Sequence, residues 1–144
     1  MSSGLNSEVT TRDFDHIAFD LDDTLLDTYR QLIPAAVREA CTAMIAAGLK
    51  AEVDQCVKAR EDFIRGNART SLYRFLVFRF GVKDGVDPNE VAEIGYRAFH
   101  DRQVERNIEL FPGARELLKD LRTRYTVHLV TSGHKRTQAE KIEI

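Results

Sequence analysis

Two short apolar runs stand out in the hydropathy pattern of the chain. The first, His16–Phe19, stops abruptly at Asp20, and the second, Tyr125–Val130, stops at Thr131. A continuous apolar run bounded by polar residues is typical of a strand that a parallel sheet buries on both faces. The pattern therefore predicts one buried strand early in the chain and another late in it.

Between these runs the apolar residues recur at helical spacing, and turn and capping residues divide the region into four helices. Each predicted helix has a residue typical of a helix terminus at one or both ends: Pro34 and Gly48, Gly66, Ser71 and Gly81, and Asp87-Pro88. The fourth helix is predicted to reach about Glu105. A short fifth helix carries Leu117, Leu118 and Leu121, and a last helix begins near Lys135.

This order predicts an α/β fold in which two strand–helix pieces flank an all-helical insert. We assign residues 1–13 to a flexible tail, 14–27 and 108–144 to the core, and 28–107 to a helical cap. Strands followed by helices favour right-handed crossovers and a parallel sheet. Parallel sheets are covered on both faces and normally contain more than two strands, so the pattern favours an incomplete core.

Composition and charge exclude several classes of protein. The 144 residues are 43% hydrophobic and 31% charged, which is typical of a globular chain rather than a disordered one. Twenty-one basic residues against 23 acidic ones leave no basic excess for nucleic acid or an anionic membrane. The polar N-terminus lacks the apolar stretch of a signal peptide. Cys41 and Cys56 lie in helical patterns, so we interpret them as reduced core thiols of a cytoplasmic protein.

The candidate chemistry lies in the segment Asp20-Leu21-Asp22-Asp23-Thr24, directly after the first predicted strand. Side chains alternate along extended backbone, so Asp20, Asp22 and Thr24 are expected on one side, at the sheet edge where parallel folds build their sites. Carboxylates this close repel unless a cation such as Mg²⁺ lies between them. One carboxylate could attack phosphorus while the other transfers protons. Thr131 ends the second strand at the same edge, and its hydroxyl could bind a phosphoryl oxygen.

A simpler interpretation is that these aspartates cap the next helix or face solvent. That interpretation suits an isolated Asp-x-Asp sequence. Here the aspartates follow a predicted buried strand, and Phe111-Pro112-Gly113 and a strand ending in Thr131 lie downstream. The combination favours a functional site.

On the basis of these segments, the chain resembles the haloacid dehalogenase-like (HAD) hydrolase superfamily, in its helical-cap (C1) branch. Asp20–Thr24 matches the first motif of that family, DxDxT. Val127–Thr131 matches the second motif, an apolar strand ending in Thr or Ser. Leu110–Gly113 is similar to the family's usual return from cap to core. The resemblance covers about residues 14–144 and implies a Rossmann-like core and Mg²⁺-dependent phosphoryl transfer.

The resemblance also implies roles for individual residues. Asp20 is expected to be the nucleophile and an Mg²⁺ ligand. Asp22 is expected to be the general acid/base and to bind Mg²⁺ through its backbone carbonyl. Thr131 would orient the phosphoryl group, with Ser132 and Gly133 beside the substrate phosphate. An aspartate at position 22 favours phosphate esters over the carbon–halogen branch, which lacks an acid there.

The chain departs from the family after the second motif. The third motif is a lysine farther along, and the fourth is an acidic pair that completes the Mg²⁺ site. After Thr131 the chain has Lys135 and Lys141, both in the last predicted helix, and no aspartate. Glu140 and Glu143 lie in the same helix, too close in sequence to be the fourth motif. We therefore expect a chain truncated after the second motif.

Two functions remain open from the sequence. The first is an Mg²⁺-dependent phosphatase that acts on a small phosphorylated metabolite, without nucleic acid or membrane partners and in an undetermined oligomeric state. The alternative is a catalytically incompetent remnant or interaction module. The apolar stretch Leu72–Phe80 is interpreted as the core of the cap rather than as a substrate roof or dimer face. His128 is expected to be structural, and His134 is a weaker candidate for substrate contact.

Overall fold

The computed structural model describes residues 15–66, 70–104 and 107–144. The predicted tail 1–13 lies outside these ranges. The elements are β1 (His16–Phe19), α1 (Thr28–Gln31), α2 (Ile33–Ala46), α3 (Val53–Arg65), α4 (Leu72–Phe80), α5 (Pro88–His100), α6 (Ala114–Leu121), β2 (Thr126–Leu129) and α7 (Lys135–Glu143). The predicted α/β class is confirmed, with β1 at the start of the described chain, helices between β1 and β2, and α7 after β2.

In the described part of the chain, the sheet consists of β1 and β2, paired in parallel as predicted. The register runs from His16 opposite Thr126 to Phe19 opposite Leu129. The expectation that both strands are buried on both faces is wrong. Residues of both strands are exposed or only half-buried, because a two-stranded sheet offers little area for other layers to cover.

The helical unit α1–α5 has its own hydrophobic core. Helix α2 packs mainly against α5, and α4 also packs against α5. The largest fully buried side chains all belong to this unit: Met44, Leu49, Leu76, Val91, Cys41 and Cys56. Both cysteines are free thiols, which agrees with the prediction of reduced core residues. Gly95 lets α5 approach α2 closely, since a Cβ at this position would lie 2.5 Å from the Met44 sulfur.

Two expectations about this unit need correction. Helix α5 ends at His100, with Asp101 as its C-cap, rather than near residue 105. Helix α4 has the predicted bounds and the predicted Ser71 cap, but it is not buried all round. Tyr73 and Leu76 face the core, whereas the Phe78 side chain is 90% exposed. Nine residues give only one face to the core, so an apolar residue on the other face remains in solvent.

A second, smaller core holds the segment that follows β1. Leu21, Leu25 and Leu26 are buried against Ala114 at the start of α6. The Phe111 amide donates to the Leu25 carbonyl at 2.8 Å. This packing ties the chain leaving β1 to the chain returning from the helical unit. Across the described ranges, every helix is too short or too polar to cross a membrane.

Candidate active site

The site begins where the two parallel strands end. The Val130 amide donates to the Phe19 carbonyl at 2.8 Å, one step beyond the strand pairing. Asp20 and Thr131 therefore follow at the same edge of the sheet. The structure brings the first-motif and second-motif segments together, as the sequence predicted.

Beyond Asp20 the backbone turns instead of remaining extended. The amides of Leu25 and Leu26 donate to the Leu21 carbonyl at 2.9 and 3.0 Å, and Asp23 has a φ of 56°. The expectation of extended alternation through Thr24 is therefore wrong, and Thr24 is exposed. The turn has a physical reason, because it buries the three leucines of the segment in the small core.

The carboxylate of Asp20 is open to its surroundings. The residue is exposed, and no side chain or amide within ranges 15–66, 70–104 and 107–144 donates a hydrogen bond to it. An unshielded carboxylate oxygen at the strand end is free to approach an electrophile. This is the state that a nucleophile requires.

The carboxylate of Asp22 is held on both of its oxygens. Its Oδ1 accepts from the Thr28 hydroxyl at 2.5 Å and from the Lys141 ammonium at 2.6 Å. Its Oδ2 accepts from the Gln138 amide at 2.8 Å. The Lys141 side chain is only 6% exposed, against 30% for Asp22. Two carboxylates that are two residues apart thus occupy different environments.

Opposing effects act on the pKa of Asp22. Burial, the largest effect, raises the pKa of the carboxyl, while hydrogen bonds from Lys141, Thr28 and Gln138 and the charge of Lys141 lower it. The lowering effects together prevail, so the pKa of Asp22 lies below its ordinary value. The carboxylate is therefore charged at neutral pH.

Gln138 joins the two motif segments. Its Nε2 lies 2.8 Å from Asp22 Oδ2, 2.5 Å from Thr131 Oγ1 and 2.9 Å from the Ser132 carbonyl. The two amide hydrogens are shared among these three acceptors. Because Thr131 Oγ1 accepts here, its own hydroxyl proton remains available to an oxygen of a bound anion. Gly133 has a φ of 130°, a backbone conformation that favours glycine, so the turn after Ser132 suits this residue.

Three residues of this arrangement are not identified as site residues by the sequence patterns: Thr28, Gln138 and Lys141. Lys141 enters there only as a lysine that lies too early in the chain to be the third motif. The signal that could have identified α7 was the spacing of Gln138 and Lys141, which puts them on one face of a helix that starts at the sheet edge. Both residues are buried despite being polar.

The oxygen atoms at this edge of the sheet are of the type that binds Mg²⁺. The Asp20 carboxylate and the Asp22 carbonyl are hard oxygen ligands, which Mg²⁺ prefers. The described residues contain no group of three or more Cys, His, Asp or Glu side chains that could hold a metal. The Asp22 carboxylate already accepts hydrogen bonds from Thr28, Lys141 and Gln138, so its backbone carbonyl is the better metal ligand. An ion at Asp20 would take most of its ligands from water.

Two histidine pairs connect neighbouring elements of the fold. His16 Nδ1 and His128 Nε2 are 2.9 Å apart, so these rings join β1 to β2 by a hydrogen bond. His134 stacks on His100 at the end of α5, with ring centroids 5.7 Å apart. These contacts give His128 a structural partner and place His134 between the helical unit and the start of α7.

A family model for haloacid dehalogenase-like hydrolases matches residues 14–144. No curated protein matches the chain. Among solved structures, the HAD-hydrolase YfnB from Bacillus subtilis, described as bound to magnesium, has a TM-score of 0.51 and 19% identity over 92% of this chain and 58% of its own.

Two further structures resemble the chain less closely by TM-score. A 2-haloacid dehalogenase from Pseudomonas syringae pv. Tomato DC3000 has a TM-score of 0.46 and 23% identity over 85% of this chain and 56% of its own. A haloacid dehalogenase-like family hydrolase from Xanthomonas campestris has a TM-score of 0.47 and 20% identity over 90% and 56%, respectively. The chain thus spans less than two thirds of the length of all three structures.

Proposed function

The chain belongs to the haloacid dehalogenase-like hydrolase family, and from that premise we propose that its site serves an Mg²⁺-dependent phosphatase. The substrate is a small phosphate ester, and the reaction passes through an aspartyl phosphate on Asp20. One observation carries the proposal: an open carboxylate and a carboxylate held on both oxygens lie two residues apart, and the Gln138 amide links the second of them to Thr131 Oγ1.

In the first half-reaction an oxygen of Asp20 attacks phosphorus, and the bond from phosphorus to the ester oxygen breaks. The Thr131 hydroxyl donates to a phosphoryl oxygen and fixes its orientation. The departing oxygen takes a proton from Asp22, which must be protonated before this step, and its lowered pKa makes that form the minor one at neutral pH. When bound, Mg²⁺ would supply positive charge beside Asp20 and the phosphoryl oxygens.

In the second half-reaction water attacks the phosphorus of the acyl phosphate. The water gives a proton to Asp22, inorganic phosphate leaves, and the Asp20 carboxylate is restored. Asp22 is charged at this point, because it gave its proton to the departing oxygen in the first half-reaction. A carboxylate able to exchange protons at position 22 also favours phosphate esters over carbon–halogen substrates.

A second candidate function is a non-catalytic module. The observation that favours it is the position of Lys141, whose ammonium lies on Asp22 rather than on Asp20. In the described ranges, Asp20 therefore has no cation beside it to offset the charge of a phosphoryl group. Phosphoryl transfer depends on such electrostatic stabilisation.

The test is phosphorylation of the purified chain by acetyl phosphate with Mg²⁺. Acetate needs no proton to leave, so this donor probes Asp20 without requiring an acid. Mass spectrometry of the intact chain and its peptides is expected to find one phosphoryl group on Asp20. It should be absent in Asp20→Asn and retained in the matched control Asp84→Asn, which alters an exposed aspartate of the helical unit. A folded wild-type chain that never becomes phosphorylated would favour the non-catalytic module.

A further inference from the structure

Helix α7 directs two polar side chains inward toward the first-motif turn. Counted over the whole residue, Gln138 is 7% exposed and Lys141 is 9% exposed, although glutamine and lysine are usually among the exposed residues. The proposed chemistry assigns no step to either residue. Their burial therefore calls for a different explanation.

The burial of Lys141 depends on Asp22. An ammonium removed from water is costly unless an opposite charge and further acceptors receive it. A lysine on a short surface helix normally extends its amine to solvent, as the exposed Lys135 at the start of α7 does. Lys141 instead places Nζ 2.6 Å from Asp22 Oδ1. Together with the Thr28 hydroxyl, this contact fixes one oxygen of the carboxylate.

Gln138 fixes the other oxygen and extends the contact to the second motif. It lies one helical turn before Lys141, so both side chains leave α7 on the same face. Its amide reaches Asp22 Oδ2 and Thr131 Oγ1, two groups separated by more than one hundred residues in sequence. A single side chain thereby sets the distance between the proposed acid–base group and the proposed phosphate-binding hydroxyl.

Helix α7 is itself anchored. Glu140 accepts from the Val104 amide at 3.0 Å and from Arg136 at 2.9 Å. The first contact joins the helix to the segment that leaves α5. The helix is therefore a supported element from which side chains can hold a carboxylate in place.

We infer that Gln138 and Lys141 are positioning residues that clamp the Asp22 carboxylate beside Asp20 and align it with the Thr131 hydroxyl. The inference rests on the proposed function for the acid–base work of Asp22. A clamped carboxylate has one orientation toward the water that attacks phosphorus. Catalysis is sensitive to such alignment, and a displacement of about 1 Å can cost ~10²-fold in rate.

The clamp can be tested in the full chain by NMR, without turnover. Three-bond couplings report whether the Asp22 side chain keeps one χ1 rotamer or averages over several. We expect one rotamer in the wild type and averaging in Lys141→Met and Gln138→Leu. Lys141→Arg keeps a cation on α7 and is expected to restore one rotamer. Lys119→Met, which alters an exposed lysine of α6, is the matched control and should behave as wild type.

Folding is monitored in the same samples through the methyl resonances of Met44 and Leu76, which are fully buried in the helical unit, and of Leu21 in the small core. If Lys141→Met disturbs the Leu21 resonances, the Asp22 rotamers measured in Gln138→Leu and Lys141→Arg test the inference instead. Only a positioning role predicts rotamer averaging with an intact core, together with rescue by arginine. A single Asp22 rotamer in both Lys141→Met and Gln138→Leu would overturn the inference.

A kinetic measurement separates this inference from the proposed function. In the acetyl phosphate experiment, Lys141→Met should form the Asp20 phosphoryl group at a largely unchanged rate. Its hydrolysis should slow by about 10- to 100-fold, because general base catalysis contributes ~10²–10⁴-fold and the base is displaced rather than deleted. An unchanged lifetime would contradict the positioning role even where phosphorylation occurs. If the wild type is never phosphorylated, the proposed function fails, whereas the rotamer measurement still decides the clamp.

Discussion

Replacing Asp22 by Asn should destabilise the core as well as impair chemistry. The substitution removes the negative charge that pairs with the ammonium group of Lys141, a side chain that is only 6% exposed. It also turns the group facing Gln138 from an acceptor into a donor, so two amide nitrogens would meet where Oδ2 now accepts at 2.8 Å. Rotating the Gln138 amide does not help, because its Nε2 also donates to Thr131 Oγ1 and the Ser132 carbonyl.

The size of the expected destabilisation follows from the burial of the Asp22–Lys141 ion pair. Breaking a fully buried ion pair costs roughly 3–5 kcal/mol, since it leaves an uncompensated charge. Here the Asp22 side chain is 30% exposed, so water screens part of that cost. The asparagine oxygen can still accept from Thr28. We therefore expect Asp22→Asn to lower the free energy of unfolding by about 2 kcal/mol.

A double-mutant cycle isolates the pair. Lys141→Met alone should cost about 1–2 kcal/mol, because Asp22 keeps two donors and some contact with water. The double variant should cost little more than either single one, which gives a coupling of roughly 1–2 kcal/mol. Urea unfolding of the full chain provides the values. Circular dichroism follows the helices, and NMR resonances of residues 15–27 and 107–144 follow the core.

The pH dependence of this stabilisation has a definite sign. The pKa of Asp22 is lower in the folded chain than its ordinary value of 3.8. The stabilisation that the charged Asp22 side chain gives to the fold is therefore fully present above about pH 5, and it is lost as pH falls through the folded-state pKa. The stability deficit of Lys141→Met relative to wild type should be largest at neutral pH and should shrink below about pH 4. A deficit that does not change from pH 7 to strongly acidic conditions, or a coupling near zero, would refute the reasoning.

Three other substitutions test the site and the packing around it. Asp20→Asn should abolish phosphorylation by acetyl phosphate yet leave the urea midpoint unchanged, because Asp20 is exposed. Gly95→Ala should destabilise the chain by about 1–2 kcal/mol in urea unfolding, since the new methyl group would overlap Met44 and Tyr73, and this outweighs the helix propensity gained. A more stable variant would contradict this close packing. Phe78→Ser should change stability by less than about 0.5 kcal/mol, because the ring is 90% exposed.

Local patterns in the sequence sufficed for most of the secondary structure, although not for α1 or for the end of α5, and for part of the site. Apolar runs located β1 and β2 within a residue or two at each end, and cap residues such as Ser71 marked helix termini. The chirality of strand–helix–strand connections then implied a parallel pair. Since parallel strands end at the same edge, Asp20 and Thr131 could be placed together. The sequence could not show that β1 and β2 remain half-exposed, because burial depends on what packs over them.

Only the tertiary structure decided the surroundings of Asp22. Its donors come from Thr28, six residues later, and from Gln138 and Lys141, more than one hundred residues later. Spacing within α7 reveals that these two share a face, but not which group that face meets. That depends on how α7 is rotated and on the turn with Asp23 at positive φ, and both are set by packing. Two aspartates equivalent in sequence pattern thus become an exposed carboxylate and a clamped one, because burial and hydrogen bonding are properties of the assembled fold.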